Sequence, residues 1–322
     1  MKSLLDRVDT RLQFAGHETF PCRYGWLKKS FDAVVVAGQD DEAVKQVFAS
    51  ERAIADFGVG KNMVASMRHW AIACGILEGT GSGGRIGLLE PTELGDLIFG
   101  GVDPYLERQD SLWLLHWRLA SAPGRSTAWY YTFNEFNEPI FSRDTLAGRL
   151  VARVDELREA GRLADSRIAR ATIVRDVDCL IRTYVSRNAR GGGEDRLECP
   201  LAELGLIMPL AGGALQFRRG PKPTLGDAVF AFALVEFWRA TLATRGSLSV
   251  EAVAHEPGSP GRVFMLDEDA VVERLESISG ATGGALDWDE SAGLRQVVAR
   301  TPIASVKPFP LLVEAFDGGL SQ

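Results

Sequence analysis

The chain has 322 residues, of which 46% are hydrophobic and 25% charged, with a net charge of −7. That length holds two or three cored domains, the composition is ordinary for a globular protein, and the acidic total weighs against a general nucleic-acid coat. No run reaches 18 apolar residues, and Met1–Arg7 breaks into charge too early for a secretory signal. A cytoplasmic protein with no membrane partner is therefore expected.

Residues 1–39 hold a compact N-terminal signature segment: Phe14-Ala15-Gly16-His17-Glu18-Thr19-Phe20-Pro21, then Arg23-Tyr24-Gly25-Trp26-Leu27-Lys28-Lys29. Residues 40–100 read as a winged helix-turn-helix. Two short helices are joined by Gly58-Val59-Gly60, and the second places Met63, Met67, Trp70 and Cys74 on one face. Lys61, Asn62, Ala65, Ser66, Arg68 and His69 fall on the other. That face is short, polar and basic, which suits the edge of a DNA groove. Ile76-Leu77-Glu78 then leads through a glycine-rich tip to Arg85-Ile86-Gly87-Leu88-Leu89, a hairpin with a basic base, and Pro91–Gly95 starts a further helix. A phosphate loop is excluded: Ala55 stands at its first glycine position and Asn62 at its hydroxyl position.

Residues 101–220 form a helical middle domain. Ser111–Leu119 is apolar nearly all round and predicts a buried helix, with His116 a satisfied core histidine. The aromatic run Ala128–Phe136 packs against it, a helix starts at Arg143-Asp144-Thr145 and runs over Leu146–Ala160, and another spans Ala171–Val185. Gly191–Gly193 is a break, Cys199–Met208 a short helix-like element, and Ala214–Arg218 alternates like a strand. Residues 221–322 form a C-terminal helical domain with room for a degenerate second winged helix. It contains a helix over Asp227–Leu242, a cap at Ser247–Ser249, a strand over Arg262–Leu266 and a helix capped by Asp267. The fold class is thus mostly α, with small β wings.

The four cysteines and four histidines are scattered and never form C-x-x-C, so neither a zinc site nor a disulfide framework is indicated. The densest chemistry lies in the signature. His17 and Glu18 offer a base and metal ligands, while Arg23 and Lys28 offer charge for a phosphoryl transition state. The same segment reads equally well as an aromatic docking strip. Arg118–Arg196 carries 14 basic residues, all arginine, against 11 acidic ones. Asp176 and Asp178 point about 200° apart on a helix and cannot easily share a metal, whereas Asp178 shares a face with Arg175 and Arg182.

Taken together, Phe14–Phe20, Gly58–Val64, Asp103–Glu107 with Trp113–Trp117, and Gly258–Phe264 resemble a bacterial domain-of-unknown-function family over about residues 12–300. One branch of that family is SspB, the nicking protein of single-strand DNA phosphorothioation systems. The resemblance implies a DNA nickase of antiphage defence that acts beside a cysteine desulfurase, an ATPase and a sulfur transferase. It carries over no catalytic residue. Cys22 and His69 stand where the family pattern has a large apolar residue and an aromatic one.

The expectation is a homodimeric protein that binds double-stranded DNA through Lys61, Asn62, Ser66, Arg68, His69 and Arg85. It hydrolyses one strand with Mg²⁺ or Mn²⁺ held by His17 and Glu18. The alternative is a non-catalytic winged-helix regulator or recruiting subunit.

Overall fold

The structure, a computed structural model, describes residues 3–8, 10–38, 40–49, 51–79, 88–163, 168–185, 199–291 and 293–318. It is mostly helical. The N-terminal elements are α1 (Trp26–Ala37), α2 (Asp41–Gln46), α3 (Glu51–Phe57) and α4 (Lys61–Ala73), followed by an antiparallel pair, β1 (Leu77–Gly79) and β2 (Leu89–Pro91), and α5 (Glu93–Leu97). Local chemistry fixes the helix starts: the Asp40 carboxylate accepts from the Glu42 and Ala43 amides, and the Thr92 hydroxyl from Gly95. α1 packs on α4 and β2, so the signature segment and the helices after it form one packed unit. The hairpin tip and Arg85 lie outside the described residues.

The middle is built from α6 (Gln109–Ala120), α7 (Thr127–Asn134), β3 (Ile140–Phe141), α8 (Arg143–Glu159), α9 (Arg170–Tyr184), β4 (Ile207–Pro209) and β5 (Leu215–Phe217). α6 buries Ser111 through Trp117 without a break, because it is enclosed on every side. His116 is a satisfied core histidine as expected: Nε2–H donates to the Val263 carbonyl at 2.8 Å, which leaves Nδ1 to accept from the Tyr184 hydroxyl at 2.7 Å. Strands β3, β5 and β4 form a three-stranded antiparallel sheet. Cys199–Met208 is not one helix-like piece; a single 3₁₀ turn over Pro200–Leu204 ends at Gly205 in the left-handed region and gives way to β4. Gly191–Gly193 lies outside the described residues.

The C-terminal elements are α10 (Asp227–Thr241), β6 (Ser247–Ser249), α11 (Val250–His255), α12 (Pro260–Val263), α13 (Glu268–Glu276), α14 (Ile278–Ala281), β7 (Leu286–Ser291), β8 (Leu294–Ala299) and α15 (Pro308–Gly318). Strand order is β6-β8-β7. The strand expected over Arg262–Leu266 is instead the end of α12 and the turn that follows it. Ser259 caps the Arg262 amide, Pro260 occupies the first turn, and the Arg262 guanidinium turns inward to donate to the Asn134 carbonyl at 2.6 Å. Ser247–Ser249 is a strand as well as a cap, since its last residue accepts from Ala252. α13 starts at Asp267 as predicted.

One hydrophobic core runs through all of these segments. Lys222, at the junction between middle and C-terminal parts, is buried and donates to the carbonyls of Arg218, Gly220 and Met265. All four cysteines are free and buried, and burial pushes the Cys74 thiol up to about 12.

Candidate functional site

The signature folds into a tight loop on top of the C-terminal half of α4. Ala15, Gly16, Glu18 and Thr19 all have φ between 46° and 90°, the left-handed region that non-glycine residues avoid. Such strain persists only where surrounding structure over-determines it, and here it does. The buried Asp176 carboxylate on α9 accepts from the Ala15 amide at 3.0 Å and from His17 Nε2 at 3.1 Å. His17 Nδ1 in turn accepts from the Thr19 amide at 3.1 Å, so the proton resides on Nε2 and both ring nitrogens are committed. Arg182 on α9 donates to the Thr19 carbonyl, while Trp70 on α4 donates to the Phe20 carbonyl at 2.9 Å. A Cβ at Gly16 would lie 2.5 Å from His69 Nδ1, so only glycine fits.

This geometry revises the predicted chemistry. His17 is 2% exposed, stacked on Trp70 and tilted against Trp129, and has no lone pair left for a metal. Glu18 is exposed and hydrogen-bonds none of the described residues, His17 included. Lys28 places its ammonium against the Asp32 carboxylate one turn along α1, and Arg23 lies over the Trp26 ring at 5.6 Å. The four residues therefore do not assemble into a joint centre. Among the described residues, no three His, Cys, Asp or Glu side chains gather to hold a metal ion. Sequence reasoning missed Asp176 as the partner of His17. Its only signal was an acid among apolar neighbours on a helix, and Asp178 does not share its role because it pairs with Arg143.

The predicted DNA face divides along α4. Lys61, Asn62 and Ala65 are exposed, and Arg68 is half-buried, with burial lowering its pKa. Ser66 and His69 leave that face. The loop covers them: Ser66 is fully buried and donates to the Phe20 carbonyl at 3.4 Å. His69 Nε2 is sealed without a partner, and burial, aided by His17 and Arg68, pushes the imidazole down to about 3, so the ring is neutral. The hairpin stem sets Glu78 opposite Glu90, a poor surface for phosphates. Among the described residues, no helix is long and apolar enough to cross a membrane.

A search of curated proteins finds no match. Among solved structures, a magnesium ion-bound SspB crystal structure is similar at 32% identity and a TM-score of 0.82, covering 100% of this chain and 92% of that one. An SspB crystal structure is similar at 32% identity and a TM-score of 0.79, with 97% and 90% covered. The family of proteins of unknown function DUF4007 matches residues 14–308, nearly the whole chain, and the protein belongs to that family.

Proposed function

We propose that the protein is an SspB-like component of a phosphorothioation-linked antiphage system, and that it binds duplex DNA and nicks one strand. The likeness to SspB over the full chain carries this reading. The order of α2, α3, α4 and the β1–β2 pair, expected from the sequence for a winged helix-turn-helix, supports it. So does the absence of any acid between Lys61 and Ala73. Lys61, Asn62 and Arg68 contact phosphates and groove edge, joined by Arg85. A homodimer sets two such helices on the duplex. A sulfur transferase and an ATPase of the same system are its protein partners.

A divalent ion is the expected helper for phosphodiester hydrolysis, and one SspB neighbour is magnesium-bound. His17 does not fit as its ligand, because the imidazole is fully engaged by Asp176 and Thr19, and Glu18 belongs to no cluster of three metal-binding side chains among the described residues. No step is assigned through them. That same observation favours a second reading, a non-catalytic winged-helix regulator or recruiting subunit. Supercoiled plasmid separates the two. Open circles that appear with Mg²⁺ or Mn²⁺ and vanish with chelator support nicking. Retarded but intact plasmid supports the binder, and unretarded plasmid at low salt overturns both.

A further inference from the structure

A cavity of about 520 Å³ opens between α6, α10 and the segment leading to α15, away from the signature loop. Its volume lies in the range of small-molecule pockets. Leu4, Trp117, Phe237 and Pro308 give it apolar walls. Three arginines line it, Arg118, Arg125 and Arg239, against one acid, Glu236. That acid is already engaged, because it accepts from Trp117 Nε1 at 2.8 Å and from Arg118 Nη1 at 2.8 Å.

Arg125 is the unresolved group. Its guanidinium makes no hydrogen bond or ion pair among the described residues, and Nη1 is sealed from solvent. It wedges against Gly75, whose φ is +69° and where a Cβ would sit 2.4 Å from Nη1. Burial, with Arg118 nearby, lowers its pKa to about 10, so it stays cationic at neutral pH. Glu236 and Glu78 favour its charge, but neither carboxylate hydrogen-bonds it, and a largely buried cation with no direct partner is unfavourable. The cavity thus holds two positive charges beyond the one Glu236 cancels, beside an apolar wall. Guanidinium forks match phosphate oxygens, and a phosphate monoester carries about two negative charges at pH 7.

We propose that this cavity binds a phosphorylated ligand of mononucleotide size, its phosphate against Arg125 and Arg239 and its less polar part against Trp117 and Phe237. The site is separate from the α4 face, and the proposal does not rest on nicking. Isothermal titration of the full-length protein with AMP, adenosine and inorganic phosphate tests it. AMP is expected to bind at least ~tenfold tighter than adenosine or phosphate, the scale of one charged hydrogen-bond pair. Arg125→Gln is expected to weaken AMP by ~tenfold or more. Arg239→Gln, on the exposed rim, weakens it severalfold with the melting temperature unchanged. Should Arg125→Gln not fold, the rim variant decides alone. Equal affinity for AMP and adenosine, inorganic phosphate as tight as AMP, no heat at millimolar AMP, or a rim variant that binds like the parent each overturns the proposal. AMP binding without any plasmid nicking leaves it standing.

Discussion

Two regions of the molecule share an order of elements and differ in the sign of their charge. Near the N-terminus, α3 and α4 lead into the β1–β2 hairpin; near the C-terminus, α11 to α14 lead into β7–β8. α4 shows solvent Lys61, Asn62 and Ala65, with no acid along its length. α13 shows solvent Glu268, Asp269, Glu273 and Glu276, and its one arginine, Arg274, folds back onto Asp227. Like architecture thus fits opposite partners. On the proposed DNA-binding reading, phosphate attraction acts at the first helix, and the second repels the same polyanion.

The comparison breaks most violently if α4 loses its cover. Asp176→Ala leaves the His17 Nε2–H and the Ala15 amide without their acceptor beneath a strained loop. Leaving such donors unpaired costs about 3 kcal/mol in total. Urea unfolding should register that loss, with Asp176→Asn intermediate because one oxygen survives. An unchanged midpoint would mean the loop is not held as described. Gly16→Ala, which meets both the positive φ and the His69 ring, should cost about 2 to 3 kcal/mol.

How much of this was legible in the sequence depends on the range of the interaction. Helix starts announce themselves through neighbours in the chain, so those at Thr92, Arg143 and Asp267 could be read directly. The buried α6 helix was legible because seven consecutive residues, Ser111–Trp117, leave no solvent face. The site was not. Whether Ser66 and His69 face DNA or lie beneath a loop depends on residues 14–20, some fifty positions earlier, which no helical wheel contains. The pairing of His17 with Asp176 spans 159 positions and leaves no local trace. The strand misread at Arg262–Leu266 has the same origin. Its apolar run is buried as a helix end, and periodicity cannot separate those two fates in short segments.

Acid should act on the covered half of α4 next. His69 and His116 are held neutral by burial, with pKa values lowered from 6.5 to about 3 and about 4. Above pH 6.5 neither state is protonated and nothing is gained or lost. Below it the unfolded chain takes up protons that the folded one refuses, so stability falls as pH drops toward those depressed values. Between pH 6.5 and 5 each histidine accounts for about 2 kcal/mol. Denaturation at pH 7 and pH 5 measures the sum. His69→Phe should remove roughly half of the drop, since Nε2 has no partner to lose. A variant as acid-labile as the parent would place the sensitivity elsewhere.

The smallest effect is the one that tests the comparison itself. Lys61 is exposed at the first turn of α4, so its loss touches no packing. Lys61→Ala should weaken DNA binding severalfold and reduce the salt slope by about one unit, as removal of one phosphate contact requires. Lys61→Glu should weaken it further. Glu273 occupies an exposed turn of α13, and there Glu273→Gln should leave affinity within about twofold, because a helix that does not approach the duplex gains little when one distant charge is screened. Fluorescence anisotropy at several salt concentrations reads both. Were the α13 change to alter affinity as much as the α4 change, the two regions would share the DNA. The acidic face would then be steering the duplex rather than standing apart from it.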